Sequence, residues 1–231
     1  MTAPLSTTRA VLVLCAIAAL PGYTATAPAA RLGAISGRVT FPGAVPPAGA
    51  RPTVGELGGP AMAMDPVDRR RSVVYIDAVP RQAFDELPAG HARMDQRNEQ
   101  FSPRVLAITV GTVVDFPNND TKFHNVFSLS RAQPFDLGRY RPGRTGGVRF
   151  NHPGLVRVFC DIHSHMSGYI LVFSHRYFTL TDDQGRYTIP NVPAGSYTLM
   201  IWSELGHADS KRVTVGDGTV TEADFQVGRL P

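Results

Sequence analysis

Three kinds of metal-binding side chain lie close together in one segment of the chain. Cys160, His163 and Met166 follow each other at intervals of three residues, and His165 stands between the last two. Apolar, β-rich runs precede and follow this segment, so two strands are expected to hold it as a short turn. Soft sulfur donors together with an imidazole suit copper better than calcium or magnesium. The segment therefore predicts part of a copper site.

A second imidazole is needed to complete such a site, and His124 is the candidate upstream. It follows the turn-forming residues 118–120, which end the apolar run 112–116. Two imidazoles and a thiolate in one plane, with a weak axial thioether, hold both oxidation states of copper in nearly the same geometry. Which ring nitrogen of each histidine binds is left open by the sequence. The predicted ligands of a single copper ion are His124, Cys160, His163 and Met166.

This part of the chain resembles the cupredoxins. The spacing Cys160-x-x-His163-x-x-Met166 is similar to that of amicyanin, a short form of the plastocyanin ligand loop, and His124-Asn125-Val126 matches the His-Asn-Val at the first ligand. The similarity covers roughly residues 101–173 and implies a Greek-key β-sandwich with one Cu(I)/Cu(II) ion. It also implies a one-electron carrier rather than an enzyme, with Asn125 joining the two ligand segments and His163 nearest the solvent.

A second resemblance concerns the C-terminal part. Residues 181–202, TDDQGRYTIPNVPAGSYTLMIW, resemble the carboxypeptidase regulatory-like (transthyretin-like) domain. Most of the mature chain resembles periplasmic cupredoxin-like proteins labelled methylamine utilization proteins. The two strands that open such a domain have their counterparts far upstream, in GRVT and SVVYID. The expectation is an all-β chain in which a cupredoxin-like sandwich is inserted into a smaller regulatory-like sandwich. Three consecutive modules are the alternative.

The domain boundaries follow from these two resemblances. We expect a signal peptide at residues 1–29, a first part of the regulatory-like sandwich with a Pro/Gly-rich loop at 31–80, the copper domain at 81–175, and the second part at 176–231. Short strands with turns between them are expected throughout, whereas residues 81–100 and 130–146 read as irregular or loop.

The N-terminus has the composition of a cleavable secretory leader. One arginine precedes an apolar run that is too short to span a bilayer comfortably, and small residues follow it. An uncleaved anchor is the alternative. Cys15 lies within the leader, so Cys160 has no partner cysteine in the mature chain, which favours a metal ligand over a disulfide in an oxidising compartment. We therefore expect a periplasmic monomer without stable membrane insertion.

Charge distribution excludes one class of function. The formal net charge is +4, but the arginines are scattered over loops and form no basic helix, so nucleic-acid binding is not expected. Redox proteins of the periplasm are the expected partners. A copper-trafficking protein without a redox cycle is the alternative, whereas a copper enzyme would need further histidine clusters. His91, Met94 and His165 are interpreted as surface-loop residues that could extend the site.

Overall fold

The computed structural model describes residues 31–41, 70–79, 90–206 and 209–228. The secondary structure there is β throughout, which confirms the predicted fold class. Numbered in chain order, the first nine strands are β1 Gly33–Thr40, β2 Val73–Ile76, β3 His91–Arg93, β4 Asp95–Arg97, β5 Gln100–Ser102, β6 Val105–Thr109, β7 Val113–Pro117, β8 His124–Ser128 and β9 Phe135–Tyr140. The other nine are β10 Thr145–Arg149, β11 Gly154–Phe159, β12 Ser167–Phe173, β13 Phe178–Leu180, β14 Arg186–Val192, β15 Gly195–Trp202, β16 Asp209–Val215, β17 Val220–Glu222 and β18 Phe225–Gln226.

One β-sandwich, called here the donor sandwich, is built from the middle of the chain. Its two sheets have the strand orders β10-β7-β3 and β6-β12-β11-β8-β9, and the hairpin β4-β5 lies beside them. The chain changes sheet between β6 and β7, between β7 and β8, and on either side of β10. This sandwich places β8 next to β11, and these strands lead to the two segments predicted to carry the metal ligands.

The second β-sandwich, called here the flanking sandwich, combines strands from both ends of the described chain. β1 pairs with β14, β17 and β18, and β2 pairs with β13 and β15, to which β16 is added. Strands that precede and follow the donor sandwich therefore share sheets. This pairing supports the inserted arrangement, while the domain boundaries themselves stay a prediction.

Three clusters of apolar side chains separate the four main sheets. One cluster lies inside the flanking sandwich and one inside the donor sandwich. The third lies between the two sandwiches and is built from β2, β13 and β15 on one side and β6 and β12 on the other. The sheets are thus stacked in four layers, and the two sandwiches share an apolar interface.

The period of β-strands explains this stacking. Side chains alternate between the two faces of a strand, and in β12 Ile170 and Val172 enter the donor core, whereas Leu171 and Phe173 enter the interface. A strand that is buried on both faces needs an unbroken apolar run. This accounts for the sequence YILVF, which lacks the alternation of a half-exposed strand.

Two predictions about irregular segments are wrong. Residues 130–146, expected to be a loop, contain β9 and the start of β10. Of residues 81–100, expected to be irregular, the structure describes 90–100, which contain β3, β4 and the first residue of β5. These strands lie at sheet edges or in a small hairpin, where few side chains are buried. Their sequences therefore lack the apolar alternation by which a strand is predicted.

Some predictions fall outside the described residues. They are the signal peptide and most of the Pro/Gly-rich loop before β2. Within the described ranges, no helix is long and apolar enough to cross a membrane.

Candidate metal centre

Three of the four predicted ligands meet at one end of the donor sandwich. His124 begins β8 and is fully buried, Cys160 directly follows β11, and His163 lies in the turn that leads to β12. The Sγ atom of Cys160 is 3.8 Å from Nδ1 of His124 and 3.8 Å from Nδ1 of His163. The two Nδ1 atoms are 3.0 Å apart. The structure therefore brings together side chains that are far apart in the sequence.

The size of this triangle fits a single transition-metal ion. A triangle with sides of 3.0, 3.8 and 3.8 Å has a circumradius of about 2.1 Å, so one point in its plane lies about 2.1 Å from all three donor atoms. Metal–nitrogen and metal–sulfur bonds at such protein sites are about 2.0–2.3 Å long. The donor set is thus spaced for an ion, and both histidines present the same ring nitrogen to it.

Met166, the fourth predicted ligand, lies at the end of the same loop as Cys160 and His163. It is buried and belongs to the apolar cluster of the donor sandwich, together with Cys160. Its backbone N–H donates to the carbonyl oxygen of His163 at 2.9 Å, and its own carbonyl accepts from the N–H of Cys160 at 3.4 Å. Residues 160–166, called here the ligand loop, are therefore closed by two backbone hydrogen bonds, and the methionine faces the core. Met166 as the axial ligand stays a prediction.

Asn125 joins the two ligand segments, as the cupredoxin resemblance implied. Its backbone N–H donates to Sγ of Cys160 at 3.5 Å, and its side-chain amide donates to Asp136 at 3.1 Å. A hydrogen bond from Arg139, with a further one from the Asn125 amide, lowers the pKa of Asp161, the residue after the cysteine. A donor aimed at the sulfur stabilises its thiolate form, which is the form that binds metal.

Asp120 is a functional residue that the sequence analysis missed. Its Oδ2 atom lies 3.0 Å from Nε2 of His124, and both side chains are buried. Burial acts to raise the pKa of Asp120, but hydrogen bonds from the Glu99 backbone and from His124 lower it to about 2. A carboxylate can only accept, so Nε2 of His124 carries the proton and Nδ1 keeps its lone pair for a metal. The sign available in the sequence was an acidic residue four positions before His124, a predicted ligand.

Buried amides hold the turn that carries Asp120. The side chain of Asn118 donates to the carbonyls of Lys122 and Tyr140 at 2.8 and 3.2 Å and accepts from the N–H of Asp120 at 3.0 Å. Gln96 donates to the Tyr140 hydroxyl at 2.6 Å, and burial raises the pKa of that tyrosine. Since buried amides are costly unless they are hydrogen-bonded, this network fixes the turn rigidly.

The solvent side of His163 is covered by a carboxylate. Glu99 lies in the turn of the β4-β5 hairpin, and its Oε2 atom is 4.0 Å from Nε2 of His163 and 3.2 Å from Nε2 of His165. Lys122 bonds the other carboxylate oxygen. Burial lowers the pKa of His163, although Glu99 acts to raise it. His163 is the more exposed of the two predicted histidine ligands, with 16% of its side chain accessible.

The remaining candidates differ from one another. His91 is exposed and lies 3.5 Å from Asp115, and His165 is exposed beside Glu99, so both are surface residues as expected. Met94 is fully buried in the core of the donor sandwich, so its interpretation as a surface-loop residue is wrong. Its position follows from β3 and β4, which were not predicted. Among the described residues, the cluster suited to a metal is His124, Cys160 and His163.

Comparison with known proteins supports both resemblances. Residues 169–228 match the model of the carboxypeptidase regulatory-like domain. The chain is 28% identical over 94 residues to amicyanin-alpha of Methylorubrum extorquens, an alignment that covers 39% of this chain and 79% of that protein. The chain therefore combines an amicyanin-like part with a carboxypeptidase regulatory-like part.

Solved structures of cupredoxins also match the chain. A novel purple cupredoxin from Nitrosopumilus maritimus is 24% identical, with 36% of this chain and 99% of that chain covered and a TM-score of 0.34. A reduced amicyanin variant is 19% identical, with 43% and 98% covered and a TM-score of 0.35. TM-scores this low support no inference about function, so the function is inferred from the geometry of the site and from the amicyanin sequence similarity.

Proposed function

We propose that the chain is an exported mononuclear copper protein that carries single electrons between redox proteins. The observation that supports this most is the triangle of His124 Nδ1, His163 Nδ1 and Cys160 Sγ, which surrounds one point at metal-bonding distance. The similarity to amicyanin suggests a copper-binding electron carrier independently of that geometry. We assign Met166 as the fourth, axial ligand because it is buried at the end of the same loop.

The residues around the triangle fit this function. Bound copper would supply reversible one-electron oxidation and reduction, and a trigonal His₂Cys set with a weak thioether is typical of electron-transfer sites. Asp120 fixes the ring of His124, and the Asn125 N–H donates to the cysteine sulfur, so these two contacts would hold the donors in the same arrangement around either oxidation state. Little rearrangement is then needed when the oxidation state changes.

Electrons are proposed to pass through the edge of His163. His124 is fully buried, whereas His163 is partly exposed, lies 4.0 Å from Glu99 and follows the exposed residue Ile162 in the chain. A protein partner can approach only the exposed side. We propose a periplasmic location and a monomeric state, as the sequence analysis predicted, with redox proteins as the partners.

The test is electrochemistry of the copper-loaded protein. We expect one copper per chain, an intense visible thiolate-to-copper band and a reversible one-electron couple. Cys160→Ser should lose the band and the couple, whereas Ser210→Ala, an exposed change in the flanking sandwich, should keep both. A protein that binds copper without the band, or whose Cys160→Ser variant keeps its spectrum, contradicts the proposal.

Copper trafficking is the alternative function, favoured only by the partial exposure of His163. A trafficking protein should pass Cu(I) rapidly to an acceptor chelator and show no reversible couple. An electron carrier should keep its copper through many oxidation and reduction cycles at the same chelator concentration. We place an enzyme third, because within the described ranges no second cluster suited to a metal is present.

A further inference from the structure

A buried ion pair joins the two sandwiches beside the ligand loop. Nε of Arg104, in the donor sandwich, donates to Oε2 of Glu204, in the flanking sandwich, at 2.7 Å. The side chains are only 10% and 3% exposed, so the contact is part of the interior. The two residues are 100 positions apart in the sequence. The pair is therefore a tertiary contact that links the flanking sandwich to the donor sandwich.

The same arginine holds the first residue after the ligand loop. Its two terminal nitrogens donate to the carbonyl oxygen of Ser167 at 2.5 Å and to the Ser167 hydroxyl at 3.1 Å. Ser167 directly follows Met166 and pairs with Phe159, the residue before Cys160. The guanidinium therefore fastens the base of the loop that carries Cys160, His163 and Met166.

Aromatic packing continues this contact along the interface. The Arg104 guanidinium lies over the ring of Tyr169 at 5.5 Å, and that ring packs against Trp202 of the flanking sandwich at 5.1 Å. The backbone N–H of Tyr169 also donates to the carbonyl of Arg104 at 2.8 Å. Glu204 follows β15 shortly after Trp202, so one stretch of the flanking sandwich supplies both the charge and the ring.

We infer that the flanking sandwich positions the ligand loop of the metal centre, with Glu204 acting through Arg104 and Ser167. Glu204 and Arg104 are assigned no ligand role and act through Ser167, so both are positioning residues. A buried guanidinium needs a carboxylate beside it, and that carboxylate orients its planar fork toward Ser167. While the guanidinium keeps both hydrogen bonds to Ser167, the end of the loop at Met166 is held at a fixed distance from the plane of the other donors.

This inference rests on the proposed copper function and adds a role for the flanking sandwich. If the hydrogen bonds from Arg104 to Ser167 weaken, the average distance from the Met166 thioether to the donor plane should increase. A weaker axial thioether gives less electron density to Cu(II), so the equilibrium should shift toward the reduced protein. The flanking sandwich would thus set the reduction potential without contributing a ligand.

The test compares two amide variants of the full-length copper protein. Glu204→Gln keeps the side-chain shape but removes the charge that orients Arg104. Asp182→Asn makes the same acid-to-amide change in the same sandwich, at an exposed pair with Arg186. We expect Glu204→Gln to favour the reduced form at least threefold and to change the ratio of the two thiolate-to-copper bands. A tenfold shift corresponds to about 59 mV for one electron. Asp182→Asn should change neither.

A second variant keeps the inference testable if Glu204→Gln fails to fold. Arg104→Lys keeps the cation for Glu204 but lacks the planar fork, so it should shift the equilibrium and the band ratio in the same direction. If both variants fold and keep the potential and spectrum of the wild type, the inference is wrong, even if their unfolding midpoints fall. A wild-type protein without a reversible couple would instead overturn the proposed function, and the inference with it.

Discussion

The two sandwiches are built alike but differ in what they bury. The core cluster of the flanking sandwich includes tyrosines, such as Tyr187 and Tyr197, whose hydroxyls donate to backbone carbonyls. Two further buried polar residues of this sandwich, Ser72 and Thr181, hydrogen-bond to each other. The donor sandwich buries a group of polar side chains at one end: Gln96, Asn118, His124 and Asn125. Burying such groups costs folding free energy unless each finds a partner. The donor sandwich carries that cost at the candidate metal centre, whereas the flanking sandwich carries it in local pairs and at Glu204, which faces Arg104.

The two cores also differ in their relation to the candidate metal centre, since Cys160 and Met166 belong to the core cluster of the donor sandwich. The flanking sandwich closes its sheets with strands from both ends of the described chain, so it can hold the donor sandwich by its two termini and through the shared interface. In the part of the chain that the structure describes, the cluster suited to a metal lies in the donor sandwich. Changes in the two cores should therefore have the same effect on folding and different effects on the site.

The largest effect is expected from equal cavities in the two cores. Ile170 lies in the donor core, in the same apolar cluster as Cys160, and Ile189 lies in the flanking core; both are fully buried. Replacing either with alanine should lower the free energy of unfolding by about 2–5 kcal/mol. Only Ile170→Ala should also change the visible spectrum of the copper protein. Chemical denaturation and absorption spectra measure the two effects, and a spectrum altered equally by Ile189→Ala would break the comparison.

A smaller effect should follow from the loss of the Asp120 charge. Asp120→Asn leaves a neutral group beside Nε2 of His124, which no longer fixes the ring and its proton as firmly. Copper affinity should fall about 10–100-fold, as is typical when a group that orients a metal ligand is changed. Competition with a chelator of known affinity measures it. An unchanged affinity, equal to that of the Asp182→Asn control, would show that Asp120 is not needed to orient His124.

The smallest effect is expected at the junction between the sandwiches. His175 is buried and accepts a hydrogen bond from the Tyr177 N–H at 3.2 Å. Burial lowers its pKa below 6.5, although Asp77 acts to raise it. The unfolded chain then binds the proton more readily, so the contribution of neutral His175 to stability is complete above pH 6.5 and decreases as the pH falls below that value.

Denaturation at several pH values tests this sign. The free energy of unfolding of the metal-free wild type should fall between about pH 7.5 and pH 5, and that of His175→Asn should fall less. A steeper fall for the variant would mean that the folded protein holds His175 in its charged form. The attraction of Asp77 for a charged His175 would then outweigh the cost of burying that charge at the junction.

Much of the fold and the core of the site could be predicted from short patterns. The spacing from Cys160 to Met166 predicts a loop between strands, and the chemistry of the donors predicts that His124 must join it. The split of the flanking sandwich was suggested by GRVT and SVVYID, which correspond to β1 and β2. These features are visible because each depends on residues close together in sequence or on a known strand pattern.

The residues that support the site could not be predicted in this way. Asp120 was interpreted only as part of a turn, Glu99 reaches His163 through a hairpin that was not predicted, and Arg104 meets Glu204 from a different sandwich. Each of these contacts depends on tertiary packing rather than on local pattern. Strand β9 was missed for a related reason, since an edge strand with few buried side chains has little apolar signal.

X-ray absorption at the copper edge tests the central claim most directly. The protein loaded with one equivalent of copper should show two imidazole nitrogens and one sulfur in the first coordination shell, each at about 2.0–2.3 Å. Cys160→Ser should lose the sulfur signal at this short distance, since the Met166 thioether is a weaker and longer contact, and should keep the imidazole signal. A shell made only of nitrogen and oxygen atoms in the wild-type protein would show that His124, Cys160 and His163 do not converge on one copper ion.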